Sequence, residues 1–122
     1  MLQMRPEQMR ILQQTALDDF VWRMVAHLNR VFPGRCRELG EERTCQLVRL
    51  SHQRAATYGI RSERDVCAYV DVLCSLNRED ESGPDMQWAK VILVDPRLGP
   101  SQKIARLREE ARQRVQKTPA AK

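Results

Sequence analysis

Apolar residues recur along the first third of the chain at the spacing of one helix face. Placed at 100° per residue, they fall on one broad arc, which predicts a helix from about Pro6 to Phe32 that Pro33 ends. Trp22 falls on the opposite side of this helix. A large aromatic side chain that points away from the core is a candidate partner contact, unless another element of the chain covers it.

The stretch from Ser62 to Asn77 is apolar almost all the way round, with Asp71 and Ser75 as its polar interruptions. Gly59 is a left-handed stop for a preceding helix that runs from about Glu41 to Tyr58. Ser62 then begins a capping-box-like Ser-Glu-Arg-Asp start. A helix without a polar face must be covered by its neighbours, so this third helix is predicted to lie buried at the centre of the fold.

Two further helices complete the predicted fold. The loop from Arg78 to Asp85 is polar and acidic and is expected to be solvated. A short helix from Met86 to about Val94 carries Trp88, and a last helix runs from Ser101 to about Lys117. No stretch has the pattern of a strand. The sequence therefore predicts an all-α fold, a compact bundle of about five helices forming a single domain over residues 1–117, with a frayed tail at 118–122.

The net charge of +5 over 122 residues is unevenly placed. Residues 1–96 hold 13 Lys or Arg and 14 Asp or Glu, whereas residues 97–122 hold 8 and 2. The excess of basic residues in the last helix predicts an acidic protein partner and salt-sensitive association. The side chains expected to contact that partner are Trp22, Trp88, Arg106, Arg108 and Arg112.

Targeting and chemistry signals are weak. The apolar runs are too short for a transmembrane helix, and the first residues do not have a signal-peptide layout, so a cytoplasmic protein without membrane contact is expected. The four cysteines form no Cys-x-x-Cys pair and are predicted to be small buried residues. Neither His27 nor His52 has a local nucleophile and orienting group. Without a catalytic or phosphate-binding motif, the chain is expected to be no enzyme and to need no metal or other cofactor.

Binding to nucleic acid is the alternative that the basic charge raises. The helices on either side of Gly59 resemble a helix-turn-helix, but a recognition helix must present polar side chains to the bases. The helix after Gly59 is apolar, and the basic residues of the last helix are spread round it with Glu109 and Glu110 between them. These features argue against a nucleic-acid partner.

Several segments, taken in order, resemble a family of small helical proteins. They are Arg23–Leu28, Phe32-Pro33, Arg35-Cys36, Tyr58–Cys67, Tyr69–Asp71 and Trp88–Leu93. The family is encoded in bacterial type VI secretion clusters, beside toxin effectors and their adaptors. The resemblance covers about Met4 to Leu107 and is most specific from Tyr58 to Asp71.

The resemblance implies a co-chaperone that binds an effector adaptor, its toxin effector, or both, and helps loading or stability. It carries over no catalytic residues. An immunity protein that neutralises a cognate toxin is the alternative, and a nucleic-acid-binding protein comes after it. Self-association into a homodimer is compatible with each of these functions.

Overall fold

The computed structural model describes residues 5–117, and their side chains except those of residues 6, 8–13, 116 and 117. The predicted frayed tail at 118–122 lies outside this part. Five α-helices follow one another: α1 (Pro6–Val31), α2 (Pro33–Thr57), α3 (Glu63–Ser75), α4 (Gln87–Leu93) and α5 (Pro100–Lys117). A 3-10 turn, Pro84–Met86, precedes α4. The described residues contain no strand, which confirms the all-α prediction, and none of their helices is long and apolar enough to cross a membrane.

Helix α2 begins earlier than the sequence pattern predicted. Pro33 ends α1 but is also the first residue of α2, because proline lacks only an N–H that is unpaired in the first turn of any helix. The residues before Glu41, where the sequence pattern predicted no helix, are therefore mostly helical. It is interrupted at Gly40, whose φ of +82° lies in the region that favours glycine.

The turn between α2 and α3 follows the predicted chemistry. Gly59 has a φ of +82°, and the Ile60 N–H donates to the Ala55 carbonyl at 2.9 Å, as in a Schellman end. The Ser62 hydroxyl accepts from the Asp65 N–H at 3.1 Å and caps α3. These two local devices set the direction in which α3 leaves α2.

Helix α3 packs against α1, α2 and α5. Three of its large side chains, Val66, Tyr69 and Leu73, are each 1% exposed. Around them the hydrophobic core draws on every helix. Its contributions from the other four include Phe20, Met24, Leu28, Leu47, Val48, Ala55, Ala89, Leu93, Ile104, Leu107 and Ala111.

The prediction of a solvated acidic loop is wrong for Glu81, whose side chain is only 6% exposed. Its carboxylate accepts hydrogen bonds from the hydroxyls of Tyr58 at 2.5 Å and Tyr69 at 2.7 Å. The Arg54 guanidinium lies 3.3 Å from the same carboxylate. We call these four residues the Glu81 cluster. A carboxylate can be buried here because donors from α2 and α3 replace the water that it loses.

The same arrangement shifts the pKa values of Glu81 and of both tyrosines. Burial alone would raise the pKa of Glu81, but the two tyrosine hydrogen bonds and the charge of Arg54 outweigh it and lower that pKa below its usual 4.5. Burial, followed by the contact with the Glu81 carboxylate, raises the pKa of Tyr58 and of Tyr69 well above the usual 10. The cluster therefore holds one anion and two neutral phenols across the neutral pH range.

Candidate functional site

A groove of about 400 Å³ runs between α3 and α5. Its lining residues come from α3, from α5 and from the joint between α1 and α2: Phe32, Ala68, Asp71, Val72, Ser75, Arg108, Ala111, Arg112 and Val115. We call it the α3–α5 groove. Its volume lies within the range of clefts that accept one or a few large side chains.

Helical spacing explains why a groove forms at this place. On α3, Ala68, Val72 and Ser75 follow one another at four and three residues, so they share a face. On α5, Arg108, Ala111 and Val115 share a face in the same way. Ala68 and Ser75 on α3 and Ala111 on α5 are small, and they leave space between the helices. Phe32 and Val72 give the groove apolar surface, and Val115, which is 45% exposed, opens it to solvent.

The charged side chains of the groove are mostly basic. Arg108 makes no ion pair with any residue in the described part of the chain, and Arg112 pairs with Glu109 at 3.1 Å, where both side chains are exposed. Asp71 is the acidic residue of the lining, and it is already engaged with His27 at 3.0 Å. The groove therefore combines apolar surface with two exposed arginines, of which Arg112 would exchange its contact with Glu109 for one with an acidic ligand.

Helix α5 is held firmly enough to form one wall. Ile104, Leu107 and Ala111 are buried along its inner face. Lys103 is also buried, and its ammonium donates to the Tyr58 carbonyl at 2.9 Å, which ties the first turn of α5 to the end of α2. The lysine also compensates one of the unpaired carbonyls at the end of that helix.

The structure separates the five predicted contact residues. Arg108 and Arg112 line the groove, whereas Arg106 does not. Arg106 lies near Asp95 instead. Its charge adds to the stronger effect of Arg97, and together they lower the pKa of the Asp95 carboxyl to about 2. Trp88 is half-buried, with the Arg114 guanidinium 4.5 Å from its ring centroid. Trp22 is 69% exposed on α1 and is not part of the groove lining.

A second group of polar side chains joins α1 to α3 and was missed by the sequence analysis. The Nε2 atom of His27 lies 3.0 and 3.1 Å from the two carboxylate oxygens of Asp71. The ligand atoms of His27, Cys67 and Asp71 all lie within 4.8 Å of one another. We call these three residues the His27 cluster. No local pattern reveals it, because the histidine is 40 and 44 residues from its two neighbours.

The cysteines do not have the properties of activated nucleophiles. All four are free, and burial raises the pKa of the Cys36, Cys67 and Cys74 thiols, that of Cys74 to about 11. In Cys67 the neighbouring Asp71 carboxylate raises the pKa further, against a smaller opposing effect of Arg108. Burial and the Asp71 carboxylate thus favour the protonated form of the Cys67 thiol, which is the poorer nucleophile.

No family model, curated protein or solved structure matches this chain.

Proposed function

We propose that this protein is a non-enzymatic accessory protein, a co-chaperone, of bacterial type VI secretion. It binds an effector adaptor, its toxin effector, or both, in the cytoplasm, and assists loading or stability. The observation that carries the binding function is the α3–α5 groove, in which apolar surface and two exposed arginines line the same space. The secretion context rests on the family resemblance of the sequence.

The groove favours one type of occupant. A segment with one large apolar side chain would fill the space beside Phe32 and Val72, and a carboxylate on the same segment would reach Arg108 or Arg112. Arginine suits this role because its planar guanidinium can form two parallel hydrogen bonds with a carboxylate. The proposed ligand is therefore an acidic, amphipathic segment of the adaptor or effector.

The first test is co-purification of the untagged protein with the tagged adaptor, and then with the effector, encoded beside it. Charge reversal at both groove arginines, Arg108→Glu with Arg112→Glu, is expected to weaken recovery at least tenfold, because carboxylates would then face carboxylates. Two lost charge-assisted hydrogen bonds of about 1.5 kcal/mol each are sufficient for that factor.

The matched control is Arg37→Glu with Arg61→Glu. It makes the same change of charge at two exposed arginines outside the groove lining. Recovery should remain within a few-fold of the unmodified protein. Equal losses from the two pairs would contradict a specific groove and would leave only general attraction to an acidic surface.

The immunity alternative is tested in cells that produce the toxin. An immunity protein protects them, whereas a co-chaperone raises adaptor or effector levels without protection. Recovery with the toxic domain alone, together with protection, would replace the co-chaperone proposal. Recovery with neither partner would reject both functions.

A further inference from the structure

The His27 cluster has a donor set that the proposed docking function does not use. It brings an imidazole nitrogen from α1 together with a thiol sulfur and a carboxylate from α3. Within the described residues, it is the one group of three or more His, Cys, Asp or Glu side chains that could hold a metal ion. Cys67 and Asp71 are four residues apart, so they lie one above the other on the same helix face.

A neighbouring ion pair also joins α1 to α3 at this point. Arg23 lies one turn before His27, and Glu63 lies one turn before Cys67. The Arg23 guanidinium donates two hydrogen bonds to the Glu63 carboxylate, at 3.1 and 3.0 Å. Such a bidentate pair restricts sliding and rotation of α1 on α3, and therefore keeps the three donors of the His27 cluster in reach of one another.

The distances between donors suit one small cation after a modest closure. Metal–ligand bonds of about 2.0–2.3 Å place the ligand atoms of a tetrahedral zinc site roughly 3.5 Å apart. The ligand atoms of the His27 cluster are at most 4.8 Å apart, and His27 is already 3.0 Å from Asp71. Rotations about side-chain bonds that move the Cys67 sulfur by about 1 Å would bring the three ligand atoms within bonding distance of one ion.

The charge and access of the cluster also fit a divalent ion. A thiolate and a carboxylate together balance two positive charges, so the loaded site would be neutral. His27 and Asp71 are 26% and 29% exposed, and a cavity of about 320 Å³, lined in part by Arg23, His27 and Cys67, adjoins the cluster. An ion and a water molecule can therefore reach it from solvent.

We propose that His27, Cys67 and Asp71 form a three-ligand site for a divalent transition metal, with Zn²⁺ as the preferred ion and water at the fourth position. A mixed nitrogen, sulfur and oxygen set is of borderline softness, which suits zinc and cobalt better than magnesium or calcium. On binding, the Cys67 thiol gives its proton to solvent and becomes a thiolate ligand, and the His27 Nε2 hydrogen that Asp71 accepts is released, so that the neutral ring binds the ion through Nε2 and carries its hydrogen on Nδ1. The bound ion would link α1 to α3. The site shares Asp71 with the lining of the α3–α5 groove, but the proposal does not rest on the docking function above.

The test uses the full chain, kept reduced, and titrates it with Co²⁺ and then Zn²⁺. We expect one Co²⁺ per chain with a thiolate-to-cobalt absorption band, and displacement of that band by one equivalent of Zn²⁺. Cys67→Ser should abolish the band, and Asp71→Asn should weaken Zn²⁺ binding at least tenfold by calorimetry, in line with the loss of one charged ligand.

Cys45→Ser is the matched control, since Cys45 is also a half-buried free cysteine but lies outside the cluster, on α2. It should leave the band and the affinity unchanged. If Cys67→Ser folds poorly, Asp71→Asn still decides the question, because its side chain keeps the same shape. Absence of one-to-one binding, or a cobalt band and zinc affinity unaltered in Cys67→Ser and Asp71→Asn, would overturn the proposal.

Discussion

The Glu81 cluster and the His27 cluster both attach α3 to its surroundings through polar side chains, but they differ in how completely those side chains are used. In the first, a buried carboxylate accepts two tyrosine hydrogen bonds and faces an arginine. In the second, His27 and Asp71 pair with each other while about a quarter of each side chain remains exposed. A fully satisfied cluster stabilises the fold, whereas a partly open one keeps donors available for a ligand.

Removal of the Glu81 carboxylate is the largest effect that this comparison predicts. Glu81→Ala leaves the buried Tyr69 hydroxyl and the half-buried Tyr58 hydroxyl without their acceptor and removes the anion beside Arg54, so we expect the free energy of unfolding to fall by about 3 kcal/mol. Urea unfolding followed by circular dichroism measures the loss. Glu79→Ala is the control, because the Glu79 side chain is 46% exposed and its ion pairs should contribute less than about 1 kcal/mol.

Equal losses in these two variants would contradict the comparison. They would mean that burial of the Glu81 carboxylate contributes no more than an exposed contact on the same loop.

The second largest effect is expected from acid, which should weaken the Glu81 cluster. The pKa of Glu81 is lowered in the folded state, so its contribution to stability is fully present above the unfolded value near 4.5 and is lost as the pH falls through the lower folded value. We expect the unfolding free energy of the unmodified protein to decline from about pH 5 to pH 3, and to decline less steeply in Glu81→Gln. Parallel pH profiles would show that other carboxylates cause the acid sensitivity.

The His27 cluster should give the smallest effect in the absence of metal. Asp71→Asn removes a charge from a contact that is partly exposed, so we expect a change of about 1 kcal/mol or less in unfolding free energy. Thermal unfolding in the presence of a chelator measures it. A loss as large as that of Glu81→Ala would make the His27 cluster a structural element and would remove the contrast between the two.

The fold was predictable because its signals are local. The stop at Gly59 and the cap at Ser62 depend on residues next to each other in the chain, and the structure contains both. The early start of α2 was not predictable in the same way. Pro33 is compatible with the end of one helix and with the beginning of the next, and here it serves both.

The sites were less predictable because they depend on which helices meet. Glu81 looks like a solvated loop residue until the tyrosines of α2 and α3 are placed beside it. Likewise, helical spacing places Cys67 and Asp71 on one face, but it cannot tell that His27 of α1 faces them. Arg108 and Arg112 were predicted as contacts from charge alone. The sequence did not indicate the α3–α5 groove that they line.

The position of Arg108 and Arg112 at the edge of an apolar groove has a consequence for the kinetics of binding. In the proposed complex, long-range attraction between the basic α5 and an acidic partner would accelerate their encounter, whereas the apolar surface beside Phe32 and Val72 would act only after contact. The proposed complex would therefore have two separately adjustable rates: the arginines mainly set how fast it forms, and the apolar residues mainly set how long it lasts.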